Sequence, residues 1–158
     1  MAGTAVERYV EQVANATSYA CLHFTDTRNR PVLLRAVSGP YPWQWPGGTM
    51  EHGETPWQCA LRECQEETGI AFSGPRRLLA VSFALPGPAW PRSNVGFIFD
   101  GGTLTDQQLD AITLDPREHS DLASHPLPDW EPLMDAESMR LLRAADAARR
   151  TETVTYLE

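Results

Sequence analysis

Residues 45–70 read WPGGTMEHGETPWQCALRECQEETGI. It holds five glutamates and a single arginine, with Pro-Gly-Gly near its start and Thr-Gly near its end. Clustered acidic residues indicate either a solvated helix face or a binding site for a cation. The choice between them depends on whether the acids share one face and on which residues surround them.

The middle of this stretch carries the signals of a helix. Thr55 is a suitable N-cap, Pro56 suits the first helical position, and Gln58 completes a capping box with Thr55. Gly69 is a natural stop, because glycine adopts the left-handed backbone that ends many helices. The pattern therefore predicts a helix from Pro56 to Thr68.

A helical wheel separates the acids from the packing face. At about 100° per residue, Glu63, Glu66 and Glu67 fall in one sector beside the apolar stripe. Like charges three or four residues apart destabilise a helix, whereas a hard divalent cation binds carboxylate oxygens and removes the repulsion. The alternative is a solvated acidic face on which Arg62 pairs with Glu66. The apolar stripe consists of Trp57, Ala60, Leu61, Cys64 and Thr68.

The composition excludes several classes of protein. The 158 residues, 42% apolar and 22% charged, are typical of a single globular domain over 1–158. A net charge of -8 argues against a nucleic-acid polymer as partner, because its phosphates require lysine and arginine. No apolar run could span a membrane and the start lacks the features of a signal peptide, so we expect a cytoplasmic protein. Cys21, Cys59 and Cys64 contain no CxxC pair and are expected to be reduced core residues.

Turn signals and apolar runs predict the remaining elements. They indicate a mixed sheet covered by helices, an α/β or α+β fold. The N-terminal helix is expected to pack on the body, and the polar, proline-broken residues 115–132 are expected to form a long surface loop. The predicted strands are 17–27, 30–37, 76–86, 93–102 and the tail 154–158, and the other predicted helices are 6–13, 105–112 and 135–150.

The fixed residues of the opening stretch also match a family pattern. They follow the spacing GX5EX7REUXEEXGU, where U is a bulky apolar residue, so the chain resembles the Nudix hydrolases through their Nudix box. Cys64 is smaller than the Leu, Val or Ile usual at the first U position, which bears on local packing and not on the metal site. The matching residues are Gly48, Glu54, Arg62, Glu63, Cys64, Glu66, Glu67, Gly69 and Ile70.

The resemblance implies a Nudix fold, in which a mixed β-sheet is sandwiched between helices. It also implies hydrolysis of the pyrophosphate linkage of a nucleoside diphosphate linked to another moiety, by metal-activated water, with Mg²⁺ or Mn²⁺ required. Carried over by position, Glu63, Glu66 and Glu67 would be the metal ligands, joined by the backbone carbonyl of Gly48.

Other box residues would support the helix and its loop. Glu54 and Arg62 would join the two through a charged, hydrogen-bonded pair. Gly47, like its neighbour Gly48, would supply backbone freedom in the loop, and Gly69 would end the helix.

The resemblance leaves open which base takes the proton of the attacking water. In this family the base is a glutamate of the box, here Glu63 or Glu67, or an acid of a downstream loop. Glu118 is our choice in that loop and Asp121 is the second. His119 is a weaker candidate, because a lone loop histidine is typically exposed to solvent.

We expect a small nucleotide as substrate, with its base stacked on aromatic side chains. Trp90, in a loop between strands, and His52, inside the box, are the candidates for substrate contact, whereas Trp57 is expected in the core. Nudix enzymes are often homodimers, so pairing through the N-terminal helix or an exposed strand edge stays an open alternative.

Two other functions are weighed against hydrolysis. A non-catalytic Nudix-fold module that senses a nucleotide would commonly lack one of the box acids, and all of them are present here. A scaffold whose acidic helix binds a protein partner fits the charge, but it leaves the glycines and their spacing unexplained.

Overall fold

The sheet is built around two long parallel strands. The computed structural model describes residues 3–158. In this part of the chain β1 (Ala16–Asp26) pairs in parallel with β6 (Ser93–Leu104), and the register shifts once, between His23 and Phe24. The last seven residues of β1 are buried, as expected for a strand covered on both faces.

Six further strands complete the sheet among the described residues. They are β2 (Pro31–Ala36), β3 (Trp43–Gln44), β4 (Gly47–Thr49), β5 (Leu78–Ala84), β7 (His119–Ser124) and β8 (Thr155–Leu157). The order is β3-β2-β1-β6-β5-β8, with β4 paired to β1 and β7 paired to β2. The β1–β6 and β5–β8 pairs are parallel and the other pairs are antiparallel, so the sheet is mixed.

Helices cover both faces of this sheet. They are α1 (Ala5–Val10), α2 (Pro56–Thr68), α3 (Asp106–Asp110), α4 (Leu127–Trp130), a 3-10 turn at Glu131–Leu133, and α5 (Ala136–Thr151). Neighbouring residues of β1 face opposite sides, so Leu22 packs with Cys64 of α2 while Cys21 packs with Leu142 of α5. The expected mixed sheet between helices is confirmed.

The helix predicted inside residues 45–70 is confirmed with the same bounds. The Thr55 hydroxyl accepts from the amide of Gln58, and the Gln58 side chain accepts from the amide of Thr55. Gly69 has a φ of 75°, in the left-handed region that ends the helix. Trp57 packs against Phe99 at the edge of the core.

The other elements agree with the sequence pattern in most places. The strands predicted at 17–27, 30–37, 76–86, 93–102 and 154–158 are confirmed as β1, β2, β5, β6 and β8, and helices α3 and α5 are confirmed as well. The three cysteines are free and buried. The sequence pattern does not predict β3 and β4, because they are very short and lie among prolines and glycines.

The expectation of a surface loop over residues 115–132 is wrong. Residues 119–124 form β7, which runs antiparallel to β2, with His119 opposite Ala36. Trp130, at the end of α4, is fully buried and packs edge-on against Trp43 and His125. The polar β7 segment has little strand preference of its own, and its extended backbone is set by pairing with β2.

The expected packing of the N-terminal helix on the body is also wrong. None of the residues of α1 is buried, and Val6 and Tyr9 are 71% and 64% exposed. The helix is capped locally, because Thr4 and Glu7 form a capping box, so its turn forms without an apolar partner. Among residues 3–158, no helix combines the length and the apolar character needed to cross a membrane.

Gly47 lies in the segment before α2 and brings that segment against β1. It lies in β4 opposite Cys21 of β1, and a Cβ at this position would overlap the Cβ of Cys21 and the carbonyl oxygen of Ala20. Both neighbours are fully buried and cannot move aside. The position therefore requires glycine because of the close backbone approach, not because of its φ.

We expect Gly47→Ala to lower the free energy of unfolding by at least about 2 kcal/mol, because the added methyl group overpacks a buried contact. Urea unfolding followed by circular dichroism measures the change. Gly87→Ala is the matched control, since no atom of residues 3–158 lies within 4 Å of a Cβ built on Gly87. Equal unfolding midpoints for the two variants would contradict this explanation.

Candidate active site

Three carboxylates of α2 lie on the same side of the helix and differ in their exposure to solvent. The side-chain exposure is 14% for Glu63, 59% for Glu66 and 5% for Glu67. Glu63 and Glu67 are about one turn apart, with Glu66 between them and nearer to solvent. This is the partly solvated setting that the helical wheel predicts.

Two glycines let the loop backbone approach these acids. The amide of Gly47 donates to Oε2 of Glu67 at 2.8 Å. Gly48 lies against the carboxylate of Glu63, in space that a Cβ would fill, and its carbonyl accepts from the thiol of Cys59 at 3.3 Å. The loop therefore places the Gly47 amide beside Glu67 and the Gly48 backbone beside Glu63.

Arg62 ties the loop to the helix. Its guanidinium donates to both carboxylate oxygens of Glu54, at 2.8 and 3.1 Å, which is the strong bidentate arrangement. It also donates to Glu63 at 2.8 Å and to Glu66 at 3.1 Å. The pairing of Arg62 with Glu66 thus exists, but it belongs to a larger network that positions the box.

Burial shifts the pKa of the inner acids. Burial raises the pKa of Glu67 to about 8, and the negative charges of Glu63 and Glu118 raise it further. The hydrogen bond from the Gly47 amide opposes this rise. Burial also raises the pKa of Glu63, where hydrogen bonding to Arg62 opposes it. Near neutral pH, Glu67 is therefore protonated to a large extent when no cation is bound.

Glu118 and His119 reach this region from downstream in the chain. Ligand atoms of Glu67, Glu118 and His119 lie within 4.8 Å of one another. Glu118 is exposed, whereas His119 is buried, so the expectation of an exposed histidine is wrong. Asp121 is exposed further along β7 and is not part of the group.

The donor set fits a hard divalent cation. Four carboxylates and a loop carbonyl supply oxygen ligands, which Mg²⁺ and Mn²⁺ prefer. The close fit of Gly48 against Glu63 brings the loop backbone against this carboxylate. The residues that can hold a cation are Gly48, Glu63, Glu66, Glu67 and Glu118.

An aromatic cavity of about 310 Å³ is lined by residues of β1, β3, β5, β6 and α5. Tyr19 and Trp43 supply apolar ring surface, and Asn94 adds an amide. Burial raises the pKa of the Tyr19 phenol, and the charges of Cys21, Glu67 and Glu63 raise it further. The cavity is large enough for a small organic group such as a nucleobase.

The two candidate substrate contacts lie outside this cavity. His52 lines an open depression together with Thr17 and Met50. Trp90 is 50% exposed, and its indole donates to the Thr17 hydroxyl at 2.8 Å. Sequence reasoning misses Tyr19 as a cavity residue because strand position alone does not show which surface a half-buried tyrosine lines.

Comparisons with known proteins agree with this geometry. A family model for the NUDIX domain matches residues 15–153. An RNA pyrophosphohydrolase from Saccharophagus degradans is 39% identical over 46 residues, 29% of this chain and 27% of that protein. An 8-oxo-dGTP diphosphatase from Proteus vulgaris is 61% identical over 28 residues, 18% of this chain and 25% of that protein. Each match thus spans about a quarter of the curated relative.

The same fold occurs in solved structures. The crystal structure of a MutT protein from Methanosarcina mazei Go1 superposes with a TM-score of 0.70 at 18% identity, covering 87% of this chain and 97% of that one. Since the family model covers most of the sequence and the box residues converge in space, the chain belongs to the NUDIX family.

Proposed function

We propose that this chain hydrolyses a phosphoric anhydride bond in a small nucleotide, with a divalent cation held by the Nudix box. The observation that carries the proposal is the grouping of Glu67 and Glu118 with Glu63, whose carboxylate lies against the Gly48 backbone. These acids would repel a pyrophosphate unless a cation reversed the local field. The cation is Mg²⁺ or Mn²⁺ in this proposal, and the compartment is the cytoplasm.

The chain's own residues set the ligand positions before substrate arrives. The Gly47 amide holds one oxygen of Glu67, and Arg62 holds one oxygen of Glu63. Such supporting contacts orient ligands and raise metal affinity. When bound, the cation polarises the phosphoryl oxygens and lowers the pKa of water at the site.

Glu118 is the base in this proposal, with one carboxylate oxygen taking the proton while the other can contact the cation. It lies in the same group as Glu67 but is exposed, so a proton taken from the attacking water can pass on to solvent. The water oxygen forms a bond to one phosphorus, and the bond from that phosphorus to the bridging oxygen breaks. Buried Glu67 is better suited to hold the cation than to exchange protons with solvent.

The aromatic cavity is the proposed site for the nucleobase. Tyr19 and Trp43 offer stacking surfaces, and Asn94 offers a hydrogen-bonding amide. The two curated relatives, a diphosphatase for 8-oxo-dGTP and an RNA pyrophosphohydrolase, support a nucleotide substrate. The net charge of -8 favours a small nucleotide over a polymer.

A substrate panel tests the reaction. We expect Mg²⁺- or Mn²⁺-dependent turnover of a nucleoside triphosphate, an NDP-sugar, ADP-ribose or a dinucleotide, with products identified by mass spectrometry. Glu67→Gln keeps an oxygen for the Gly47 amide but removes the charge, so kcat should fall at least about a hundredfold.

Glu51→Gln is the matched control for that substitution. Glu51 belongs to the same acidic stretch but is exposed and outside the acidic group, so its variant should retain wild-type turnover. If the wild type cleaves nothing in the panel with either cation, the proposal fails. Tight nucleotide binding without turnover would favour the sensing module instead.

In the metal-free protein, the contribution of Glu67 to stability should fall as pH rises from about 4.5 to 8, because Glu67 binds its proton more tightly folded than unfolded. A carboxyl group whose pKa is raised by folding stabilises the fold fully below the unfolded pKa, and loses that contribution as pH rises through the folded pKa. Melting temperatures in EDTA measure the trend. The difference in melting temperature between the wild type and Glu67→Gln should fall as pH rises through this range, and a difference that does not change with pH would contradict the raised pKa.

Two tryptophan substitutions test where the nucleobase of the substrate binds. Trp43→Leu should raise KM at least about fivefold, because stacking contributes about 1–3 kcal/mol per base. Trp90→Leu alters an exposed indole outside the cavity and should change KM little. A larger effect at Trp90 than at Trp43 would move the base to the loop, where the sequence predicts it.

A further inference from the structure

The imidazole of His119 lies inside the acidic group but has no partner there. The side chain is only 2% exposed, and its buried Nδ1 makes no hydrogen bond within residues 3–158. A buried polar atom without a partner costs about 1–3 kcal/mol, so native structures rarely leave one unexplained. The atom to explain faces a carboxylate, since Nδ1 lies 3.9 Å from Oε1 of Glu67.

The separation of 3.9 Å between Nδ1 and Oε1 is too long for a hydrogen bond but suits two ligands of one cation. A direct N–H···O bond requires about 2.7–3.2 Å, so Nδ1 and Oε1 are too far apart for one. Two ligand atoms, each about 2.1 Å from one cation, are separated by about 3–4.2 Å, depending on the angle between the bonds. The observed 3.9 Å between His119 and Glu67 falls inside this range.

Neither tautomer of a neutral imidazole is satisfied without a further group. If Nδ1 carries the proton, no acceptor of the described chain lies within reach. If it carries the lone pair, Oε1 of Glu67 lies 3.9 Å away, too far to donate a hydrogen bond to it. A cation between them satisfies the lone pair and both carboxylates together.

The backbone holds His119 in this orientation from both sides. Its amide donates to the carbonyl of Asp115 at 2.8 Å, and the carbonyl of Glu118 accepts from the amide of Val37 at 2.9 Å. Pairing with Ala36 fixes the start of β7 on β2. These bonds fix the backbone of His119, which limits where its buried imidazole can lie.

We propose that Nδ1 of His119 is a metal ligand, which adds a nitrogen donor to the oxygens of Glu67 and Glu118. Imidazole nitrogen favours borderline cations such as Co²⁺ and Zn²⁺ over Mg²⁺. The site therefore binds such cations more tightly than an all-oxygen site would. The proposal rests on the proposed function only through the metal site that both use, and it requires no particular substrate.

Pulsed electron paramagnetic resonance on the wild-type protein tests this directly. With Mn²⁺ bound and no substrate present, we expect echo-envelope modulation from a directly coordinated ¹⁴N nucleus. Incorporating ¹⁵N-histidine should replace that modulation with the ¹⁵N pattern. No variant is needed for this measurement, so a folding defect cannot obscure it.

Two substitutions assign the nitrogen. His119→Gln should abolish the modulation while Mn²⁺ still binds. His125→Gln is the matched control and should leave the modulation unchanged, because His125 lies six residues along from His119, about 20 Å away in extended chain. Modulation that persists in folded His119→Gln would overturn the proposal, because another nitrogen would then be the ligand.

Cation selectivity gives an independent measurement. By calorimetry, His119→Gln should weaken Co²⁺ binding at least about tenfold and change Mg²⁺ binding less than about threefold. Equal losses for the two cations would overturn the nitrogen ligand. Mn²⁺ bound without nitrogen modulation, in an enzyme that still cleaves nucleotides, would reject the ligand role of His119 and leave the proposed function intact. Absence of any cation binding would reject both.

Discussion

A carboxylate buried between a helix and a sheet is the constraint on which this structure depends. Glu67 is 4% exposed and lies in the last turn of α2, where the helix dipole also disfavours an anion. An isolated buried charge is costly, and the Gly47 amide is its one short hydrogen bond within residues 3–158. The protein can keep Glu67 there in two ways, by protonating it or by placing a cation beside it. The box loop, α2 and β7 all converge on that position.

Arg62 divides the acids of the box into two groups. Its guanidinium pairs with Glu54, Glu63 and Glu66, so these acids have a fixed positive partner. Among the ion pairs of the described chain, none joins Arg62 to Glu67. The outer part of the box is therefore held together by the protein itself. The inner part, around Glu67, has uncompensated acid and depends on a proton or a cation.

Local signals account for the parts of the structure that the sequence predicts well. The bounds of α2 follow from Thr55, Pro56 and Gly69, whose effects act within a few residues. The placement of Glu63 and Glu66 follows from helical periodicity alone. The family pattern then links these residues to Gly48 and Glu54, which no periodicity could do.

Contacts between distant parts of the chain account for what the sequence does not predict. β7 is polar and becomes a strand only because β2 offers an edge, so the burial of His119 and Trp130 cannot be inferred from neighbouring residues. In α1 the prediction fails in the opposite direction. Val6 and Tyr9 have the spacing of core residues, but both are exposed. The aromatic cavity likewise depends on how β1, β3 and α5 come together.

The parallel pairing of β1 with β6 also fixes the order in which the molecule can be assembled during synthesis. Residues 16–26 must wait for residues 93–104 before the centre of the sheet closes, and such long-range pairing is intrinsically slow. The acidic stretch 45–70 leaves the ribosome within that interval, before its neighbours in the sheet are complete. Glu118 and His119 follow later still. The nascent chain therefore carries the family's most recognisable segment for much of its synthesis without a finished binding site.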